Sequence, residues 1–233
     1  MDNKDYTNII LDIFQEICKI PHPSGQEEAI GDYLMAFAKA HGLKAKKDNV
    51  GNILICKAAA KGCEKSPTVI LQAHQDMVCE KDAALIHDFM KQPIQTYIED
   101  GWLKAKGTTL GADDGIGMAM MLAVLADSTL KHGPIEALFT VSEETGLTGA
   151  SNLGDDMING KMLINLDSED EGEIFIGCAG GIKSEIEFHY NAESIPENSF
   201  FLKLSVDRLH GGHSGDDIDK GYANANKILA RFL

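Results

Sequence analysis

Apolar positions along the chain switch between helical and strand-like spacing, and the switching predicts the architecture. From Thr7 to Ile20, Ile9, Ile10, Ile13, Phe14 and Ile17 recur at helical intervals, and His22-Pro23 closes the run. Ser24, ahead of Gly25-Gln26-Glu27, is an N-terminal signal for a second helix. That helix reaches about His41-Gly42 and buries Ile30, Leu34 and Phe37. Short strands are predicted over about 43–48 and 52–57, and the small, polar stretch 58–67 reads as a loop. Thr68 to Ala73 is a continuous apolar run, the mark of a strand covered on both faces. Ile135 to Val141 and Lys161 to Leu166 repeat it. Between them lie an irregular stretch from Met77 to Leu110, with a hairpin around Asp100-Gly101, and a helix from Gly115 to Asp127. A short helix is predicted over Gly149 to Leu153. Strands alternating with helices predict an α/β sandwich around a largely parallel sheet.

The texture changes from Ile182 onward. Ile186, Phe188 and Tyr190 alternate with polar neighbours, and Phe200 to Val206 alternates too, which predicts a second, antiparallel sheet. Gly221 to Leu233 reads as helix. The predicted division is therefore 1–182 and 183–233.

Charge narrows the function classes. Thirty-six acidic against 21 basic residues give a net charge of −15, which argues against nucleic acid and against an anionic membrane surface. The five cysteines are odd in number, widely spaced and without a CxxC pair. They predict neither a disulfide framework nor a thiolate zinc site, and a reducing cytoplasm fits them. The opening MDNKDYTNII lacks the basic and apolar regions of a signal peptide, and no apolar run approaches the roughly 18 residues of a membrane span.

Candidate chemistry sits where strands end, the place where open α/β sheets gather ligands. His74 and Asp76, two apart after an apolar strand, share one face of extended backbone. A carboxylate there can accept the second N–H of a ligating imidazole. Asp113-Asp114, between glycines and ahead of a helix, is either an N-cap or a carboxylate free to bridge cations. Glu143 and Glu144 follow a strand and can point to opposite sides, so that one binds metal while the other acts as a base. Asp167 closes the set, or simply initiates a turn. Each piece alone is weak. Together, imidazole and carboxylates without thiolate suit zinc, cobalt or manganese, and a two-metal site with about 3.5–4 Å between ions needs a bridging carboxylate.

The stretches LQAHQDMVCEK, GTTLGADDGIGMAMM, LFTVSEETGLTGA, INLDSEDEGEIFIGCAGG and GGHSGDDI run in order from Leu71 to Ile218. As a set they resemble the M20 family of metallopeptidases, in its dipeptidase branch. The resemblance implies a zinc-aminopeptidase-like catalytic domain over 1–182. It implies that 183–233 begins an α+β lid domain through which subunits form a homodimer. It implies two divalent metals, zinc before cobalt or manganese, with His74 and Asp167 on one, Glu144 on the other and Asp113 bridging both. The Asp113–Asp114 peptide is expected to be cis. Asp76 would sit behind His74. Glu143 would be the general base for a metal-bridging hydroxide that cleaves Xaa-His and other short peptides. His213 would stabilise the oxyanion.

Family members are about twice this length, and their second half supplies a further histidine ligand and a clamp for the substrate carboxylate. His87, His132, His189 and His210 stand in the wrong contexts to replace that histidine. A fragment or truncated product is therefore expected. An amino-acid deacylase or succinyl-amide hydrolase on the same scaffold, and an inactive metal-binding fragment, are the alternatives.

Overall fold

A computed structural model describes residues 5–168, 170, 172–178, 180, 184–212 and 217–232. The chain divides into two units, Met1–Glu169 and Asp170–Leu233.

The first unit is built on a five-stranded mixed sheet. Its strands are β1 (Lys44–Lys47), β2 (Ile53–Lys57), β3 (Val69–His74), β6 (Ile135–Thr140) and β7 (Met162–Asn165), in the order β1-β2-β6-β3-β7. β6, β3 and β7 run parallel, whereas β1 and β2 add on as an antiparallel flank. Three helices pack on one face: α1 (Tyr6–Ile17), α2 (Glu28–Ala40) and α3 (Ala112–Ala126). Strand residues alternate between faces. Ile53, Ile55, Ala73, Ala137 and Phe139 meet Phe14, Ile17, Ile30, Leu34, Met118, Met121 and Leu122 of the helices. Leu54, Ile70 and Leu138 turn the other way, towards Met157. Burial on both sides explains why β3 and β6 read as apolar runs. Each large apolar side chain so buried contributes about 1.5–3 kcal/mol. Gly115 lets α1 approach α3 closely, because a Cβ there would lie 2.8 Å from the Phe14 ring.

The predicted hairpin is present as β4 (Thr96–Glu99) and β5 (Trp102–Ala105). Its two-residue turn, Asp100-Gly101, has φ of 52° and 80°, the left-handed pair that matches the twist of antiparallel strands. A short helix, α4 (Thr148–Ser151), follows β6.

The second unit departs from expectation. Its described residues include one regular element, α5 (Ala225–Phe232), and residues 184–212 carry no strand. Among the described residues Ser184–Tyr190 and Phe200–Val206 are not paired as strands, and the small separate antiparallel sheet is β4–β5 in the first unit. Alternation alone does not pair strands; an apolar face must be covered. Here Ile186, Phe188 and Phe200 are 91%, 82% and 79% exposed.

Candidate metal centre

Three neighbouring parallel strands deliver their carboxyl ends to one edge of the sheet. His74, the last residue of β3, pairs with Thr140, the last of β6. Gln72 of β3 pairs with Asn165, the last of β7, and Asp167 lies two residues further on. Beyond Thr140 the chain turns through Ser142, whose φ of 51° is left-handed, into Glu143 and Glu144. The fourth contributor is the start of α3. Gly111 (φ 72°) begins the helix, Asp113 and Asp114 have non-helical dihedrals, and the peptide between them is cis, as expected.

The donors converge on His74, which is buried. Its Nε2 lies 2.8 Å from Asp113 Oδ1 and 3.8 Å from Asp167 Oδ2. Ligand atoms of His74, Asp113 and Glu144 fall within 4.8 Å of one another, and so do those of His74, Asp114 and Asp167. All four expected ligands are thus brought together, in two overlapping groups that share the imidazole. Asp114 is an addition: its carboxylate is buried and accepts the His74 backbone N–H at 3.2 Å.

Five carboxylates crowd one imidazole, and their proton affinities show the strain. Burial and repulsion from Asp167 push Asp114 up to about 8. Burial and repulsion from Asp113 push Asp167 up to about 7 and Glu144 upward. The His74 hydrogen bond holds Asp113 down. Burial would lower His74, but the Asp113 and Asp76 hydrogen bonds and the Asp167 charge outweigh it and raise the imidazole to about 11. Excess negative charge around one ring, with hard and borderline donors and no thiolate, is the environment that divalent cations relieve.

Asp76 plays a part that its spacing did not reveal. The His74 Nδ1 lies 2.9 Å from the Asp76 backbone carbonyl and 3.4 Å from its carboxylate. The carboxylate also accepts the N–H groups of Glu143 (2.9 Å) and Glu144 (3.2 Å) and the Ser24 hydroxyl (2.7 Å). Despite burial, His74, the Ser24 hydroxyl and the Glu143 N–H hold it down at about 2. Ser24 is therefore no helix cap. The residue before α2 is Glu27, whose side chain makes no capping bond to the helix. Ser24 reaches Asp76 because Pro23 and Met77 form a parallel bridge, with the Met77 N–H donating to the His22 carbonyl at 3.2 Å. Glu143 lines a cavity of about 140 Å³ together with Gln72, Thr140, Asn165 and Asp167. His213 lies outside the described residues.

The sequence pattern of peptidase family M20/M25/M40 matches residues 70–218. The chain belongs to this family. It is 52% identical over 224 residues to the cytosol non-specific dipeptidase of Escherichia coli (strain K12), covering 96% of this chain and 46% of that protein. Among solved structures, an aminoacylhistidine dipeptidase from Vibrio alginolyticus superposes with a TM-score of 0.72 at 43% identity, over 96% of this chain and 46% of that one. A Staphylococcus aureus tripeptidase gives 0.60 at 26% identity, over 70% and 44%. The chain spans about half the length of the curated relatives it matches. Asp114 within the M20 motifs, and Ser24 and Glu27 ahead of them, are the site residues that the sequence pattern does not single out. Asp114 was visible only as the second half of an Asp-Asp pair, and the other two looked like ordinary helix-start residues.

No helix among the described residues is long and apolar enough to cross a membrane.

Proposed function

We propose that the chain carries the metal-binding half of a dipeptidase that hydrolyses Xaa-His and other short peptides in the cytoplasm. The observation that carries the reading is the convergence of His74, Asp113, Glu144 and Asp167 on one sheet edge, with Glu143 in the adjoining cavity. The names of the relatives, a cytosol non-specific dipeptidase and an aminoacylhistidine dipeptidase, support the substrate class.

His74, Asp113, Glu144 and Asp167 would hold two divalent ions, zinc in preference to cobalt or manganese, with Asp113 between them. Ions bound there polarise the scissile carbonyl and acidify water. Glu143 takes the proton of the attacking water and returns it to the leaving amine, and the cavity it lines gives that water room. Asp76 fixes the backbone of Glu143 and Glu144 through two N–H bonds, so base and ligand stay in register. His213 stabilises the oxyanion, and residues 183–233 form the lid through which two subunits associate.

The test is dipeptide hydrolysis after chelation, with Zn²⁺, Co²⁺ or Mn²⁺ restored, in the wild type and in Glu143→Ala. Hydrolysis should return with metal. The variant should lose about 10²- to 10⁴-fold in kcat while binding the same number of ions. Activity that ignores chelation removes the metal from the mechanism, and unchanged turnover in Glu143→Ala removes the base. Metal binding without turnover in the wild type would reassign the chain as a metal-binding fragment.

A further inference from the structure

The elbow that carries Glu143 and Glu144 is held by side chains rather than by a strand. Four consecutive N–H groups each donate to a side-chain oxygen from elsewhere in the first unit. Val141 donates to Asn52 Oδ1 at 3.1 Å, and Ser142 to Glu27 Oε1 at 2.9 Å. Glu143 and Glu144 donate to the two oxygens of Asp76. Asp76 adjoins the metal ligands, and Asn52 also closes its own turn, with Asp48 Oδ1 accepting three backbone N–H groups over 50–52. Glu27 has neither excuse. It is a buried carboxylate just before α2 that makes no capping bond to that helix.

One oxygen of Glu27 accepts three donors: the Gly25 N–H, the Ser142 N–H and the Ser142 hydroxyl, each at 2.9 Å. Two of the three come from Ser142, whose backbone is left-handed. Left-handed φ is unfavourable for serine, and a contact that grips both its N–H and its side chain is what holds such a conformation in place. An ionised acceptor makes those bonds shorter and stronger than a neutral one. We infer that Glu27 is a positioning residue: by fixing Ser142 in its left-handed turn, it aims Glu143 at the cavity and Glu144 at Asp113 and His74. The inference rests on the proposed roles of Glu143 and Glu144 for its meaning in catalysis, though not for its structural test.

That test compares Glu27→Ala, which removes the acceptor, with Glu27→Gln, which keeps a side-chain carbonyl oxygen in its place. Amide hydrogen exchange is read on the metal-free chain. Exchange at 142–144 should rise about tenfold in Glu27→Ala, the effect of one lost hydrogen bond, while β3 and β6 amides keep wild-type rates. Glu27→Gln should restore most of the protection. In parallel, Co²⁺ affinity should fall about 10- to 100-fold in the Ala variant, the usual cost of losing a group that orients a ligand, and the visible spectrum of the bound ion should change. Wild-type exchange and Co²⁺ affinity in Glu27→Ala would overturn the inference. So would faster exchange spread evenly over the first unit, which marks a merely structural residue. If Glu27→Ala does not fold, Ser142→Ala removes only the hydroxyl contact and should raise exchange at 142–144 alone; no local rise there sinks the proposal. If the wild type binds no Co²⁺, the proposed function fails while the exchange arm still decides the role of Glu27.

Discussion

β2 and β6 of the first unit and the segments Ser184–Tyr190 and Phe200–Val206 of the second begin from similar sequence evidence, short apolar-rich runs with strand periodicity. Their outcomes are opposite. Ile53, Ile55, Ala137 and Phe139 are fully buried under three helices. Ile186, Phe188, Phe200 and Phe201 are exposed, in a unit with one described helix that buries none of its residues. The difference teaches that strand periodicity is permission rather than instruction. Pairing is stable where a second layer takes the apolar face out of water, and the first unit supplies that layer from α1, α2 and α3.

The sharpest way to break the comparison is to hollow the covered face. Phe139 is fully buried, pairs with Ile53 and Ala73 in the sheet, and belongs to the cluster formed with the helices. Phe139→Ala should cost about 3–5 kcal/mol in urea or thermal unfolding, the lost transfer energy plus a cavity. A cost below about 1 kcal/mol would mean that helix-layer burial is not what holds the sheet.

That layer also explains how far the sequence was legible. β2, β3 and β6 appear within a residue or two of their predicted bounds, because their periodicity and their burial agree, whereas β7 keeps its bounds by pairing with β3 although its four residues are exposed. The convergence of His74, Glu144 and Asp167 follows from sheet topology, which places strand ends together, and Asp113 joins them from the start of α3. What stayed hidden depends on contacts distant in sequence. Ser24 looked like a cap but serves Asp76, 52 residues away, and Glu27 serves Ser142, 115 residues away. No local spacing encodes such pairs. Ser184–Tyr190 and Phe200–Val206 show the complementary case: local alternation is present without a strand among the described residues, and the covering layer a strand needs is not visible in any short window.

A middle-sized effect sharpens the contrast within the first unit itself, between what packing holds and what polar side chains hold. Asn52 is fully buried. It accepts the Val141 N–H and donates to Gly149 O at 2.9 Å and Asp48 Oδ2 at 2.7 Å. Asn52→Ala leaves these groups unmatched inside the protein and should cost about 1–3 kcal/mol. The close approach it bridges depends on Gly149, where a Cβ would stand 2.5 Å from the Val141 nitrogen. Gly149→Ala should therefore destabilise by a similar about 1–3 kcal/mol through overpacking. Calorimetry of the two variants checks both. If Asn52→Ala unfolds with the wild type, the Asn52 bonds are not what holds the turn after β6.

The smallest effect lies in the second unit and completes the comparison. Phe188 is 82% exposed and Ile186 is 91% exposed. Phe188→Ser removes an aromatic ring that water already surrounds, so the change in unfolding free energy should stay within about 0.5 kcal/mol. The double variant with Ile186→Ser should change little more, since the two sites share no covering layer to lose. The measurement is calorimetric unfolding at two protein concentrations at least tenfold apart. A loss above about 1 kcal/mol that grows with concentration would show that these rings are covered in solution by another copy of the chain, because association stabilises by mass action. The alternation over 184–190 would then be a strand signal waiting for its layer, and the contrast between the two units would be one of partner supply rather than of sequence.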